Sequence, residues 1–282
     1  MHALELTAHW PVDHVGAAVV VAPADDAPRV ATRGDMGRLY RIASLSKPLA
    51  AWAALVAVEE GLLTLDQPIG QPGCTLRHLL AHAGGYSFDG PEPVAAPGVR
   101  RIYSNTGIEL AAEAISAAAG MPFSQYLAEA VFQPLGMVDS ELRGSPAHQV
   151  WSTVADLLCF AQEQIRPTLL APATVELATT PVFPDLRGVV PGLGSYPRCS
   201  WGLGVEIHGD KQPHWMGTRN SPRAFGHFGG SGTMMWVDPA AVPGCAVAAI
   251  ALTDRPFDDW ADDALRLWPA FSDAVVDEVG AA

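Results

Sequence analysis

The sequence predicts an α/β fold, more specifically a mixed α+β arrangement. It consists of an antiparallel sheet of about five strands, flanked by helices, with an inserted all-helical lobe. Short valine-rich and other apolar runs occur near both ends of the chain, which is typical of strands. Helical patterns dominate between them. Joining the two end segments gives one sheet that the helices can cover.

The N-terminal part predicts a strand hairpin followed by a buried helix. Residues 15–22 form an apolar run that ends at Pro23-Ala24-Asp25-Asp26, and residues 29–32 resume an extended pattern. The alanine- and leucine-rich segment that follows Ser44 contains strong helix formers and stops near Gly61.

The middle and the C-terminal part predict helices first and strands afterwards. The predicted helices cover residues 75–82, 105–119, 122–132, 153–165 and 172–180. A loop rich in proline and glycine follows over residues 181–198. The remaining strands are predicted at residues 202–207, 232–237 and 245–252, and an amphipathic helix at 258–279.

These elements predict a single domain over residues 1–282 that consists of two lobes. Residues 1–60 and 195–282 make the α/β lobe, and residues 61–194 make the helical lobe. A cleft between two lobes is a common place for a small ligand. We therefore expect the functional residues to lie where the lobes meet.

Composition and charge exclude several classes of function. The formal charge of -13 argues against a nucleic-acid partner, because binding phosphates needs clustered cations. No apolar run approaches the ~18 residues of a membrane span. The first ten residues lack the basic start and apolar core of a signal peptide, so we expect a cytoplasmic protein. The four cysteines are widely spaced, which favours reduced thiols.

The stretch Arg41-Ile42-Ala43-Ser44-Leu45-Ser46-Lys47-Pro48 is the first candidate for chemistry. Residues three apart share a helix face, so Ser44 and Lys47 would lie one turn apart. A neutral amine beside a hydroxyl can activate a serine nucleophile, and burial lowers the pKa of a lysine. The alternative is a helix start with a capping serine and a solvated lysine.

Two later segments accompany this pair. Tyr103-Ser104-Asn105 precedes an alanine-rich helix, and His227-Phe228-Gly229-Gly230 leads into a C-terminal strand. Seen alone, Tyr103 is a helix-entry aromatic, Asn105 an N-cap, and the glycine run a turn. His78 and His82 are spaced as zinc ligands can be, but no third ligand follows, so we predict no metal and treat His82 as structural.

The ordered set Ser-x-x-Lys, Tyr-x-Asn and His-x-Gly resembles the motifs of the serine β-lactamase and penicillin-binding-protein superfamily. It is most similar to the class C-like branch, which includes class C β-lactamases, DD-peptidases and related esterases. Two longer runs also resemble that branch, Leu79-Leu80-Ala81-His82-Ala83-Gly84-Gly85 and Phe225-Gly226-His227-Phe228-Gly229-Gly230-Ser231-Gly232.

The resemblance implies a role for each matched residue. Ser44 would be the acyl-accepting nucleophile, and Lys47 and Tyr103 would share its proton, which requires a lowered pKa for Tyr103. Substrate-binding residues would be Asn105, His227, Gly229 and Gly230. The backbone N–H groups of Ser44 and Gly230 would form the oxyanion hole.

The third motif departs from that of penicillin-recognising members, in which lysine and threonine help to bind a substrate carboxylate. His227 and Phe228 offer neither charge nor hydroxyl, which favours a small-molecule ester over a β-lactam. The resemblance therefore implies a serine hydrolase without a cofactor, most similar to an esterase that acts on an ester or amide. The alternatives are a β-lactamase or D-amino-acid peptidase and a catalytically silent binding protein; the sequence does not indicate an oligomeric state.

Overall fold

The computed structural model describes residues 1–281, apart from the side chain of Phe257. The predicted end of the domain at residue 282 lies outside this range. The α-helices are α1 (Ser46–Glu59), α2 (Leu76–Leu80), α3 (Asn105–Ala119), α4 (Phe123–Leu127), α5 (Gln133–Leu135), α6 (Val154–Ile165), α7 (Pro172–Ala178) and α8 (Ala261–Gly280). A π-helical segment, Ala128–Phe132, joins α4 to α5, and 3₁₀ helices cover His2–His9, Ala43–Leu45 and Phe257–Asp259.

The strands form one large sheet and two small ones. They are β1 (Val15–Pro23), β2 (Arg29–Arg33), β3 (Tyr40–Arg41), β4 (Glu141–Leu142), β5 (Val150–Ser152), β6 (Gly188–Val190), β7 (Gly194–Tyr196), β8 (Glu206–Ile207), β9 (Phe225–Gly229), β10 (Thr233–Val242) and β11 (Cys245–Thr253). The large sheet has six strands in the order β2-β1-β11-β10-β9-β8. All of its neighbouring strands are antiparallel.

The predicted antiparallel sheet flanked by helices is confirmed, and two of its strands differ from the prediction. The segment with His227, expected as a turn before a strand, is itself strand β9 and pairs with β10. The strand expected over residues 202–207 is shortened to β8. Gly204 has a φ of +78°, which extended backbone does not allow, so the chain becomes regular only after it.

The large sheet is covered by apolar packing on both faces. Along β1, Ala18 and Val20 belong to a core cluster that also contains residues of α1, α3 and α6. The alternating residues Val19 and Val21 belong to a second cluster with Trp268 of α8. This alternation follows from the two-residue period of a strand. The sheet is consequently a rigid central layer on which the cleft residues are placed.

The segment expected to be all-helical carries α2–α7 but also the short strands β4, β5 and β6. Its helix α6 packs against β1, β10 and β11 of the large sheet, so the core runs continuously from sheet to helices. The division into lobes at residues 61 and 194 stays a prediction. Within residues 1–281, no helix is both long and apolar enough to cross a membrane; the cytoplasmic location also stays a prediction.

Candidate active site

Ser44 lies in a strained turn just before α1. The sequence predicted that Ser44 belongs to the α-helix, but the chain forms a 3₁₀ turn at Ala43–Leu45, and the helix begins at Ser46. Ala43 has a φ of +47°, a left-handed conformation that costs an L-residue ~1–2 kcal/mol. Such strain persists only where the surroundings impose it.

Two sets of contacts hold this turn. The buried Ser46 hydroxyl donates to the Ala43 carbonyl at 2.6 Å and accepts the Val150 N–H at 3.0 Å. From the sheet side, the Thr233 hydroxyl donates to the Ile42 carbonyl at 2.9 Å. The Ser46 hydroxyl therefore joins the turn to β5.

Gly229 allows the sheet to approach this turn. A Cβ atom at Gly229 would collide with the carbonyl oxygen of Ile42. The predicted binding residue Gly229 thus lies behind the Ser44 turn and positions it, whereas Gly230 faces open space, with nothing within 4 Å of the place where its Cβ would be.

Lys47 is fully buried one turn after Ser44, and three oxygen atoms surround its amine. The Nζ atom lies 3.1 Å from Ser44 Oγ, 2.7 Å from Asn105 Oδ1 and 3.0 Å from the Ala147 carbonyl oxygen. Burial lowers the pKa of Lys47 to about 7, against a smaller opposing effect of Asp89. A neutral amine has two N–H donors for the amide and the carbonyl, and one lone pair for the Ser44 proton.

Tyr103 is positioned by aromatic neighbours and by His82. Its ring lies 4.6 Å from the His82 ring and 5.7 Å from that of Trp201, while Lys47 Nζ lies 4.6 Å from the ring centroid. The Ser104 N–H donates to His82 Nδ1 at 3.2 Å, so His82 is structural, as predicted. Burial raises the pKa of Tyr103, although the hydrogen bond with Ser44 opposes this.

The expectation of a lowered pKa for Tyr103 is therefore wrong. Desolvation of the buried phenolate outweighs the opposing hydrogen bond with Ser44. Tyr103 is a neutral hydroxyl near pH 7, which can donate or relay a proton. The group beside Ser44 whose pKa is lowered is Lys47.

Asn105 connects Lys47 to a surface loop. It is not the N-cap of α3, because the Ser104 side chain accepts the capping N–H of Gly107. The Asn105 amide instead accepts from Lys47 and donates to Asp89 Oδ1 at 3.0 Å. Asn105 thus contacts Lys47 directly, and its expected part in substrate binding stays a prediction.

His227 reaches the cleft from β9 as a neutral ring. Burial, helped by Lys47, lowers its pKa to about 3. Its Nδ1 lies 2.6 Å from the Phe228 carbonyl oxygen, which can only accept, so Nδ1 carries the proton. The free Nε2 then accepts from the Tyr103 hydroxyl at 3.3 Å.

A cleft of about 240 Å³ opens beside Ser44. Tyr103, His227 and Gly230 line it, so the structure brings the predicted residues of all three motifs together. Among the described residues, no acceptor bonds to the Gly230 N–H. The other lining residues are Phe88, Val190, Pro191, Gly192, Trp201, Glu206, Phe228 and Asp258.

A buried polar network behind the cleft was missed from sequence. The Glu206 carboxylate is contacted by Lys211 Nζ at 3.0 Å and accepts from His214 Nε2 at 3.1 Å and from Trp215 Nε1 at 2.8 Å. Burial alone would raise the pKa of Glu206, but the Lys211 charge and these donors hold it below its usual range. No sequence motif marks these residues, since they meet only after β8 and the following loop have folded.

His78 and His82 do not share a metal site. His78 Nδ1 is 2.8 Å from the Thr75 hydroxyl and its ring stacks on Phe183, while His82 faces Tyr103. Over residues 1–281, no group of three or more His, Cys, Asp or Glu side chains is arranged to hold a metal ion.

Comparisons with known proteins show a matching family model and several structures of similar fold. Residues 12–270 match the family model described as Beta-lactamase. The fold is similar to the crystal structure of a beta-lactamase from Mycobacterium bovis, with 48% identity, a TM-score of 0.91 and 98% of each chain covered. It is also similar to simvastatin synthase LovD from Aspergillus terreus, a mutant form, at 20% identity and a TM-score of 0.76, with 95% of both chains covered; that likeness shows the fold alone.

A curated relative matches a part of the chain only. The D-alanyl-D-alanine-carboxypeptidase/endopeptidase AmpH of Escherichia coli K12 is 27% identical over 151 residues, which is 40% of this chain and 39% of AmpH. The chain thus matches less than half the length of that relative.

Proposed function

The chain belongs to the Beta-lactamase family, and we propose that it is a serine hydrolase that cleaves a small ester through an acyl-enzyme on Ser44. The observation that supports this most directly is the 3.1 Å contact between Ser44 Oγ and Lys47 Nζ. Lys47 is buried and has a pKa of about 7. At neutral pH a substantial part of the enzyme therefore has a base in contact with the nucleophile.

The reaction follows from these contacts. Lys47 takes the Ser44 proton while Oγ bonds to the substrate carbonyl carbon, and the carbonyl oxygen becomes an oxyanion. The proton then passes through the neutral Tyr103 hydroxyl or directly from Lys47 to the leaving oxygen as the ester C–O bond breaks. A water molecule, deprotonated by the same network, attacks the acyl-enzyme and releases Ser44.

The oxyanion would be stabilised by two backbone donors. The Ser44 N–H lies in the turn imposed by Ala43, and the Gly230 N–H lies at the end of β9 beside the cleft. Preorganised N–H donors of this kind contribute ~3–4 kcal/mol each to transition-state stabilisation. The strain at Ala43 is then the cost of placing the Ser44 N–H and Oγ correctly.

The third motif supports an ester rather than a β-lactam. His227 is neutral because burial lowers its pKa to about 3, and the Phe228 ring packs against Trp215 and Trp268. A carboxylate placed beside the reacting bond would lose hydration without meeting a cation there, which is unfavourable. A neutral ester has no such cost.

A second candidate is a β-lactamase. It is favoured by one observation, the 48% identity over 98% of the chain with a protein named as a beta-lactamase. Comparing kcat/KM for short nitrophenyl esters with that for a chromogenic cephalosporin separates the two. Faster turnover of the cephalosporin would replace the ester proposal.

Covalent labelling tests the proposal as a whole. A fluorophosphonate probe should label the protein at Ser44, and Ser44→Ala should abolish labelling and lower ester turnover by ~10³ or more. Ser231→Ala is a matched control, because that half-buried serine is in the neighbouring turn, donates to the Arg41 carbonyl and is outside the proton network. A folded protein that neither reacts with the probe nor turns over any ester would be a silent binding protein.

A further inference from the structure

A second cavity adjoins the active-site cleft and differs from it in charge. This cavity, of about 420 Å³, shares Phe88, Tyr103 and Pro191 with the cleft. Its remaining lining residues are Arg100, Arg101, Ile102, Arg187, Gly188, Val189 and Ser195. Among the described lining residues, three are arginines and none carries a carboxylate, although acids outnumber bases in the chain by 30 to 17.

The three arginines have different roles in this basic cavity. Arg101 is 2% exposed, and its guanidinium donates to backbone carbonyls of Cys199, Val182 and Phe183. It thus holds the cavity wall, and among the described residues no acidic side chain forms an ion pair with its buried charge. Arg100 and Arg187 are exposed, and within residues 1–281 neither guanidinium makes an ion pair or a hydrogen bond.

We propose that the basic cavity is an anion subsite, and that the preferred substrates are esters with a carboxylate or phosphate several bonds away from the reacting carbonyl. This inference rests on the proposed function and names its substrate class. The anion would contact Arg100 and Arg187, whose planar guanidinium groups suit bidentate binding of such oxyanions. The intervening apolar chain would pass along Phe88 and Val189, which are 50% and 53% exposed.

A negative charge on the opposite side of the cleft favours one orientation of an anionic substrate. Asp258 is exposed and lines the active-site cleft but not the basic cavity. An anionic substrate end is therefore repelled from the Asp258 side and attracted past Tyr103 toward Arg100 and Arg187. This also separates the subsite from the His227 position, where no cation is available for a carboxylate beside the reacting bond.

Two series of nitrophenyl and phenyl esters test the subsite. In the first, the acyl group bears the anion: hemiesters of succinic, adipic and suberic acids are compared with their methyl-capped forms. In the second, the leaving group bears it: butyrates of a hydroxybenzoate and of the matching hydroxybenzamide are compared. We expect kcat/KM for the anionic member to exceed that for the neutral one in at least one series, and the ratio to fall with added salt.

The double variant Arg100→Gln/Arg187→Gln should lower that anionic-to-neutral ratio by ~10-fold or more, since two charge-assisted contacts are lost. The matched control is Arg29→Gln/Arg33→Gln, which removes equal charge from β2, at the sheet edge opposite to β8, and should leave the ratio unchanged. Ratios at or below one in both series, or ratios that the cleft-side double variant leaves within two-fold, would overturn the subsite.

Binding separates a failure of the subsite from a failure of the proposed hydrolase. Unreactive monoamides of the same diacids and their methyl-capped forms are titrated into the Ser44→Ala protein by calorimetry. Tighter binding of the anionic form, lost in the cleft-side arginine variant, supports the subsite even if no ester is turned over. Equal binding of both forms overturns it even if the protein proves to be an esterase.

Discussion

The chain contains two lysines, Lys47 and Lys211, and both are buried, at 0% and 1% exposure. Each amine has three oxygen neighbours. Around Lys47 they are a hydroxyl, an amide and a backbone carbonyl; around Lys211 they are the Glu206 carboxylate and two backbone carbonyls. The two environments differ in charge, because Lys211 contacts a carboxylate oxygen and the three oxygen atoms around Lys47 include none.

That difference agrees with the base proposed at Lys47 and with the ion pair between Lys211 and Glu206. Removing the Lys211 amine would leave the Glu206 carboxylate buried without its cation, which is unfavourable. A buried ammonium without a carboxylate in contact gains from losing its proton, and the pKa of Lys47 is accordingly lowered to about 7. Burial alone thus does not distinguish the proposed base from Lys211; the presence of a carboxylate among the three oxygen neighbours does.

The largest expected effects come from removing each amine in turn. Lys47→Ala should lower kcat by ~10³ while the protein stays folded. Lys211→Met should instead lower the free energy of unfolding by ~3–5 kcal/mol, since Glu206 remains buried and unpaired. Ester turnover and urea unfolding measure the two effects.

A paired substitution checks the cause of the stability loss. Adding Glu206→Gln to Lys211→Met removes the unpaired charge and should restore a large part of the lost stability. If the double variant is no more stable than Lys211→Met, the ion pair is not what fixes Lys211.

Removing the Tyr103 hydroxyl should have the next largest effect. Tyr103→Phe keeps the ring contacts with His82 and Trp201 and should lower kcat by ~10². Because the proposed mechanism has Lys47 and Tyr103 act on one proton, the double variant with Lys47→Ala should lose far less than the product of the single losses. Multiplicative losses in single-turnover kinetics would show two independent functions.

Changing the third motif should alter selectivity by about one order of magnitude. His227→Lys brings a cation near the reacting bond and should raise acylation by a chromogenic cephalosporin ~10-fold relative to a neutral ester. The added charge also lies near Lys47 and should shift its titration to lower pH. An unchanged cephalosporin-to-ester ratio of kcat/KM would contradict the role given to the neutral ring.

The smallest expected effect is on the dependence of kcat/KM on pH, which tests the difference between the two lysines most directly. In the proposed mechanism the neutral form of Lys47 is the active one, so kcat/KM should rise with pH through about 7, the pKa of this amine, and then stay level. Asp89 raises the pKa of Lys47, so Asp89→Asn should move the rise to lower pH by less than ~1 unit.

Because the chain contains two lysines, the titration of the Lys47 amine can be observed directly. In protein labelled with ¹³C-lysine, NMR should give two side-chain signals, one of which titrates near neutral pH and disappears in Lys47→Ala. If neither signal moves between pH 6 and 8, taken as roughly one unit on either side of that pKa, then Lys47 is not the base.

The parts of the site that could be predicted from sequence are those with short, fixed spacing. Ser44 and Lys47 lie on adjacent turns of one segment, and Tyr103 and Asn105 lie at one helix start, so local geometry already brings them near each other. Their joint placement beside His227 was accessible through the resemblance of all three motifs. The order of strands and helices was predictable for a similar reason, since apolar periodicity is a local property.

The missed features depend on long-range contacts. Asp89 belongs to a loop whose position is fixed by Asn105, and Glu206 meets Lys211 only through the path of the chain after β8. The glycines around His227 indicated a turn, because a sequence does not show that Gly229 is needed for close approach to the Ile42 carbonyl. The pKa of Tyr103 was misjudged because its degree of burial is a tertiary property.

The burial of both lysines leaves arginine and histidine as the basic side chains of the described surface, and this has a consequence for the acyl-enzyme proposed on Ser44. Exposed lysine amines react with activated esters and would collect stray acyl groups, whereas guanidinium groups stay protonated and do not. We therefore expect little acylation of lysine side chains by the proposed substrates. Intact-protein mass spectrometry should accordingly show one main acyl adduct per chain, and that adduct reports the state of Ser44.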